Sequence, residues 1–158
     1  MTGLMQARLL ALGLPAALLG GAYISELVFG LYPCEMCWWQ RWPHFAGLGF
    51  AVLAFIASPA RLWTALAALA IIGSGLIGGF HAGVEYSWWQ GITGCATMTG
   101  VDVMDPASAP LIRCDVAPWD LFGISLAGWN FLFSVLGGIT ILILLTKPQG
   151  SNRPEPLR

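Results

Sequence analysis

The sequence predicts an all-α membrane protein, a four-helix transmembrane bundle in one domain spanning residues 1–158. Three observations predict it. Of 158 residues, 57% are hydrophobic and only 9% charged, where a soluble domain carries about a quarter charged. Four apolar runs of about 20 residues recur, each able to cross a hydrocarbon core about 30 Å thick. The basic residues gather at one set of run ends.

The first run is 9–29, "LLALGLPAALLGGAYISELVF". Its length suits a span better than the short core of a cleaved signal peptide. The second is 38–57, the third 62–80 and the fourth 121–146. Pro15 and the glycines are compatible with membrane helices, and "GSGLIGG" in the third run reads as a helix-packing face. The N-terminus, the 58–61 turn and the C-terminus hold Arg8, Arg61, Lys147, Arg153 and Arg158 against Glu155 alone. Both termini are therefore expected in the cytoplasm. Loops 30–37 and 82–120 then lie outside, the second with room for a short interfacial helix. No basic cluster suggests nucleic acid.

All four cysteines, Cys34, Cys37, Cys95 and Cys114, fall in those outer loops, where an even count implies disulfides in an oxidising compartment. Cys34-Glu35-Met36-Cys37 opens the second helix behind Pro33, where unpaired N–H groups and the helix dipole favour thiolate. Arg41 follows Cys37 by one turn on the same face. It can stabilise a thiolate or the charge forming on a bound acceptor, or it can serve as an interfacial anchor. Trp38, Trp39 and Trp42 mark the headgroup level, so the thiols would stand at the border of water and lipid. With two histidines and no second C-x-x-C, no metal is expected.

In the second loop, Cys95 and Cys114 enclose eighteen residues. Spacing leaves open whether they form a permanent staple, worth about 3 kcal/mol in the chain-entropy model, or an exchanging pair. Asp115 and Asp120 flank the fourth helix and suit capping. His81 and Glu85, four apart, could share a face, either as an interfacial hydrogen bond or as support for a cofactor site.

Together, "PCEMCWWQR" at 33–41, "FHAGVEYSWWQG" at 80–91 and "RCDVAPWDLFGISLAGWN" at 113–130 resemble the bacterial disulfide bond formation protein B (DsbB) family. The resemblance implies a multi-pass inner-membrane thiol:quinone oxidoreductase with periplasmic cysteines. Such an enzyme reoxidises a DsbA-like periplasmic thioredoxin-fold oxidase and passes the electrons to the membrane quinone pool, ubiquinone or menaquinone. By the same resemblance, Cys95 receives the partner's attack and pairs with Cys114, Cys34 exchanges with Cys114, and Cys37 faces the quinone. Arg41 would then sit at the quinone head group, with His81 and Glu85 as further candidates. Two rivals carry less. Vitamin K epoxide reductase-like enzymes place their C-x-x-C late in the bundle, and a scaffold with static disulfides does not account for Arg41 beside a thiol pair.

Overall fold

A computed structural model describes residues 2–93, 96–98 and 111–147, with side chains for 2–93 and 113–147. Its elements run α1 (Gly3–Leu27), α2 (Glu35–Ile56), α3 (Ala60–Glu85), β1 (Ala96–Met98), β2 (Leu111–Arg113), β3 (Asp120–Leu121), β4 (Ile124–Ser125) and α4 (Leu126–Thr146). Three helices, α1, α3 and α4, are long and apolar enough to cross a membrane. The 22-residue α2 is not among them, because Glu35, Gln40, Arg41 and His44 lower its hydropathy.

The helix ends differ from the expected ones, and local chemistry explains where α1, α2 and α4 start. α1 starts six residues early because Thr2 caps it, its hydroxyl accepting the Met5 N–H at 3.4 Å. The start of α2 takes in the last three residues of the expected 30–37 loop. Cys34 is its N-cap, with the sulfur accepting the Cys37 N–H at 3.2 Å. α3 continues five residues past the expected end, so His81 and Glu85 are helical. α4 starts at 126 instead of 121, because residues 120–125 form a tight β3–β4 hairpin with Phe122 and Gly123 at positive φ. Ser125 then caps α4 by accepting the Gly128 N–H at 3.1 Å.

The second loop corrects the all-α expectation. Its described parts pair as antiparallel strands, Ala96 opposite Arg113 and Met98 opposite Leu111. The remainder expected to hold an interfacial helix, 99–110, lies outside the described residues. The expected capping by Asp115 and Asp120 is also displaced. Asp115 forms a two-point ion pair with Arg113 at 2.7 and 3.0 Å, which holds its carboxyl below the usual carboxylate range. Asp120 accepts the Gly123 N–H inside the hairpin.

α3 packs against α2 and α4, with α1 across α2 and α4. One core is built from small side chains, Ala7, Ala11, Ala51, Ala67 and Ala68 around Ile71 and Ile141. That composition allows close backbone approach where lipid supplies no hydrophobic drive between helices. The packing face foreseen in "GSGLIGG" is real. A Cβ on Gly75 would stand 2.9 Å from Ser134 Cβ, and one on Gly78 would stand 2.8 Å from the Ala127 carbonyl. Large apolar side chains such as Leu69, Leu76, Leu136 and Ile143 instead point outward, as lipid-facing helices require. Arg61 donates to the Lys147 carbonyl, and Gly3 lies beside Leu144 and Lys147. The first helix start, the α2–α3 turn and the last helix end thus share one end of the bundle, opposite the cysteines.

Candidate functional site

The chemistry begins in the first turn of α2. Cys34 is 3% exposed, and its sulfur lies 2.7 Å from that of Cys37. The two are described as thiols. Contact with the Cys37 sulfur, together with burial, pushes the Cys34 thiol well above the usual thiol range. Cys114 is buried in the same cluster as Cys34, Met36 and Val84, with Cys37 and Phe80 packed against it. The fold thus brings a cysteine of the second loop onto the C-x-x-C pair. Cys95 lies outside the described residues.

His81 and Glu85 do share a face of α3, but they are buried rather than interfacial, with side chains 2% and 3% exposed and Nε2 3.7 Å from Oε1. His81 Nε2 is also 3.6 Å from the Cys34 sulfur. Behind it runs a polar network that sequence reading did not pick out. Gln40 Nε2 lies 2.9 Å from His81 Nδ1, Asn130 Nδ2 donates to Gln40 Oε1 at 2.8 Å, and His44 Nε2 lies 2.9 Å from Asn130 Oδ1. One contact orients the whole chain. Asn130 Nδ2 also reaches the Ser74 backbone carbonyl at 3.3 Å, and a carbonyl can only accept. Asn130 Oδ1 is therefore the acceptor for His44, Gln40 Oε1 the acceptor for Asn130, and Gln40 Nε2 the donor to His81. The His81 proton is consequently on Nε2, facing the sulfur and the carboxylate.

This tautomer bears on the metal reading. Cys34, Cys37 and His81 place their ligand atoms within 4.8 Å of one another, a three-donor group that counting residues could not reveal. A protonated Nε2 aimed at the Cys34 sulfur serves a hydrogen bond to it, however, whereas a metal-ligating imidazole needs that atom bare and its other N–H donated away.

Arg41 is 5% exposed and does not stand free beside the thiols. Its Nη1 pairs with Glu26 of α1 at 2.6 Å and its Nη2 donates to the Ala22 carbonyl at 3.3 Å. Its guanidinium also stacks over Tyr23 and Trp38 at 4.7 and 4.9 Å. No local pattern in the sequence pairs Glu26 with Arg41, which lies 15 residues further on. Trp39 and Trp42 are partly exposed, as the interfacial assignment requires.

A cavity of about 210 Å³ joins these groups. Cys37, Arg41, His44, His81, Glu85 and Asn130 line it, together with an apolar wall that includes Leu18, Leu19 and Phe133. Among the described residues, five buried side-chain polar atoms lack a partner. Three of these, His44 Nδ1, Glu85 Oε2 and Trp129 Nε1, belong to residues of this one cavity. Since an unmet buried polar group costs about 1–3 kcal/mol, such a concentration marks a site built for a ligand.

A sequence model of the family described as "Disulfide bond formation protein DsbB" matches residues 5–144. The chain belongs to the DsbB family. It is 33% identical to a disulfide bond formation protein B of Verminephrobacter eiseniae, over 94% of this chain and 89% of that protein. It is 29% identical to one of Acidovorax sp., over 89% of this chain and 91% of the other. An uncharacterized protein of Rickettsia prowazekii is 24% identical over 85% of the chain. No solved structure matches the chain with significance. For this DsbB family member, the C-x-x-C pair, Cys114 and Arg41 of the quoted motifs all converge on the cavity end of the bundle.

Proposed function

We propose that this protein reoxidises a DsbA-like periplasmic dithiol oxidase and passes the electrons to membrane quinone. It would act as a protein-dithiol:quinone oxidoreductase of the bacterial inner membrane. The observation that carries the reading is a single cavity lined by Cys37, Arg41 and three residues with unpartnered buried polar atoms, with Cys34 and Cys114 buried together in the cluster that Cys37 packs against. All four helices cross the membrane in this reading. Both termini and the α2–α3 turn face the cytoplasm, where Arg8, Arg61 and Lys147 lie, and the cysteines face the periplasm.

The cavity fits a flat, oxygen-bearing ring. Its wall is mainly apolar, and its orphaned atoms include a donor-only indole N–H at Trp129 and acceptors at Glu85 and His44. Cys37, Arg41, His44 and Trp129 would hold the head group. When bound, the quinone supplies an acceptor for two electrons and two protons.

The chain's own residues then divide the work. The partner's thiolate attacks Cys95 and releases Cys114. Cys114 attacks Cys34 of the oxidised pair, and the leaving sulfur is Cys37. That order is compatible with the site, where Cys34 and Cys114 are buried in one cluster and Cys37 lines the cavity. The partner's second thiolate attacks the partner–Cys95 bond, which releases the oxidised partner and frees Cys95. Cys95 then resolves the Cys34–Cys114 bond, which restores the loop disulfide and leaves Cys34 and Cys37 as dithiol. Reoxidation of that pair returns two electrons and two protons per turnover. His81, its Nε2–H set by Gln40, steadies sulfur charge during these exchanges.

The test is the full chain in lipid nanodiscs, with a reduced thioredoxin-fold dithiol protein and a quinone followed by absorbance. Quinone reduction should require both proteins and vanish in Cys37→Ser and Cys95→Ser. Full activity in either variant overturns the mechanism, and no reduction by the unaltered chain favours a scaffold with static disulfides.

A further inference from the structure

The orphaned atom of His44 has a defined chemical character. His44 is 3% exposed and sits two turns beyond Cys37 on α2, inside the cavity wall. Its Nε2 faces Asn130 Oδ1 at 2.9 Å. That oxygen also accepts from Ser134 Oγ at 2.9 Å, while the amide nitrogen is committed to Ser74 and Gln40. The amide cannot turn over without breaking these bonds, so His44 Nε2 must carry the hydrogen. A neutral ring then presents a bare lone pair at Nδ1, buried and without a partner among the described residues.

A bare acceptor discriminates between the two redox forms of a bound ring. A quinone oxygen is itself only an acceptor, so it leaves Nδ1 unmatched. A quinol hydroxyl donates and fills it. We propose that His44, held by Asn130, is the residue that makes this cavity prefer quinol over quinone, and so draws the thiol-to-quinone reaction forward. The inference rests on the quinone reading above. The balance is simple. Cys34 and Cys37 lose two electrons and their two thiol protons to become a disulfide, the ring gains both, and His44 accepts the hydrogen bond of the new hydroxyl without a net proton change.

The test measures binding rather than turnover. In the full chain carrying Cys37→Ser, so that no electrons pass, the dissociation constants of a decyl-tailed benzoquinone and its hydroquinone are measured in nanodiscs. The ratio of the two constants should favour the hydroquinone. His44→Phe should reduce that preference by about fivefold, chiefly by weakening the hydroquinone. His44→Gln, which keeps an acceptor, should retain part of it and guards against misfolding in the phenylalanine variant. Equal weakening of both forms in His44→Phe makes His44 merely a wall of the pocket and overturns the proposal, as does an unchanged ratio. If the His44-containing protein binds neither form, the quinone reading itself fails.

Discussion

Replacing Glu26 by leucine asks whether the arginine of this site is held by its own charge partner. Arg41 Nη1 and Glu26 Oε2 are 2.6 Å apart, with side chains 7% and 20% exposed. At an effective dielectric of about 20, the gross attraction at that distance is about 6 kcal/mol. Most of it is offset by desolvation, and breaking a buried pair from one side typically costs about 3–5 kcal/mol. Here the loss should be smaller. Glu26 keeps some solvent access, and Arg41 keeps the Ala22 carbonyl and the faces of Tyr23 and Trp38.

Glu26→Leu is therefore expected to destabilise the protein by about 2 kcal/mol. Glu26→Gln, which retains a neutral acceptor, should cost about half as much. Unfolding in mixed micelles of rising SDS fraction supplies the measurement, with Arg41→Leu and the double variant completing a double-mutant cycle. The expected result is strong coupling, with the double variant more stable than Glu26→Leu because no charge is left stranded. Simple additivity of the two single losses would refute the idea that Glu26 holds Arg41, and would return Arg41 to the role of an interfacial anchor.

Two further outcomes follow from the site. Because Cys34 and Cys114 share one buried cluster, the variant lacking Cys37 and Cys95 should form a Cys34–Cys114 disulfide under mild oxidant; mass spectrometry showing only intermolecular dimers would contradict that packing. Gly78→Ala would set a Cβ 3.0 Å from both Asn130 Nδ2 and Gln40 Oε1. It should loosen the network that fixes His81 and His44 and weaken quinone binding severalfold, and unchanged binding would mean that the network is not needed.

Much of this molecule is legible in its sequence, because the strongest signals are local. Apolar runs, the C-x-x-C behind Pro33 and the charge asymmetry all act over a few residues, and the four helices lie where those signals put them. The boundaries moved where a side chain took over an end: Thr2, Cys34 and Ser125 each cap a helix that hydropathy alone would have started elsewhere. Capping by sulfur is the informative case. It turns a loop motif into the first turn of a helix and aims the backbone N–H of Cys37 at Cys34.

The pairings that were not legible are long-range. Glu26 is 15 residues from Arg41, Gln40 is 41 from His81, and His44 is 86 from Asn130. One signal was nonetheless present. Gln40, His44 and Asn130 are polar residues inside runs otherwise chosen for lipid, and such residues turn toward the bundle interior to find partners. What sequence cannot supply is the direction of each hydrogen bond. That depends on the Ser74 carbonyl, a backbone group common to every residue type, and its place beside Asn130 comes only from the close approach of α3 and α4 at Gly75 and Gly78. The tautomers of His81 and His44 are thus consequences of helix packing. A side chain at Gly78 would erase them while leaving every residue of the C-x-x-C motif in place.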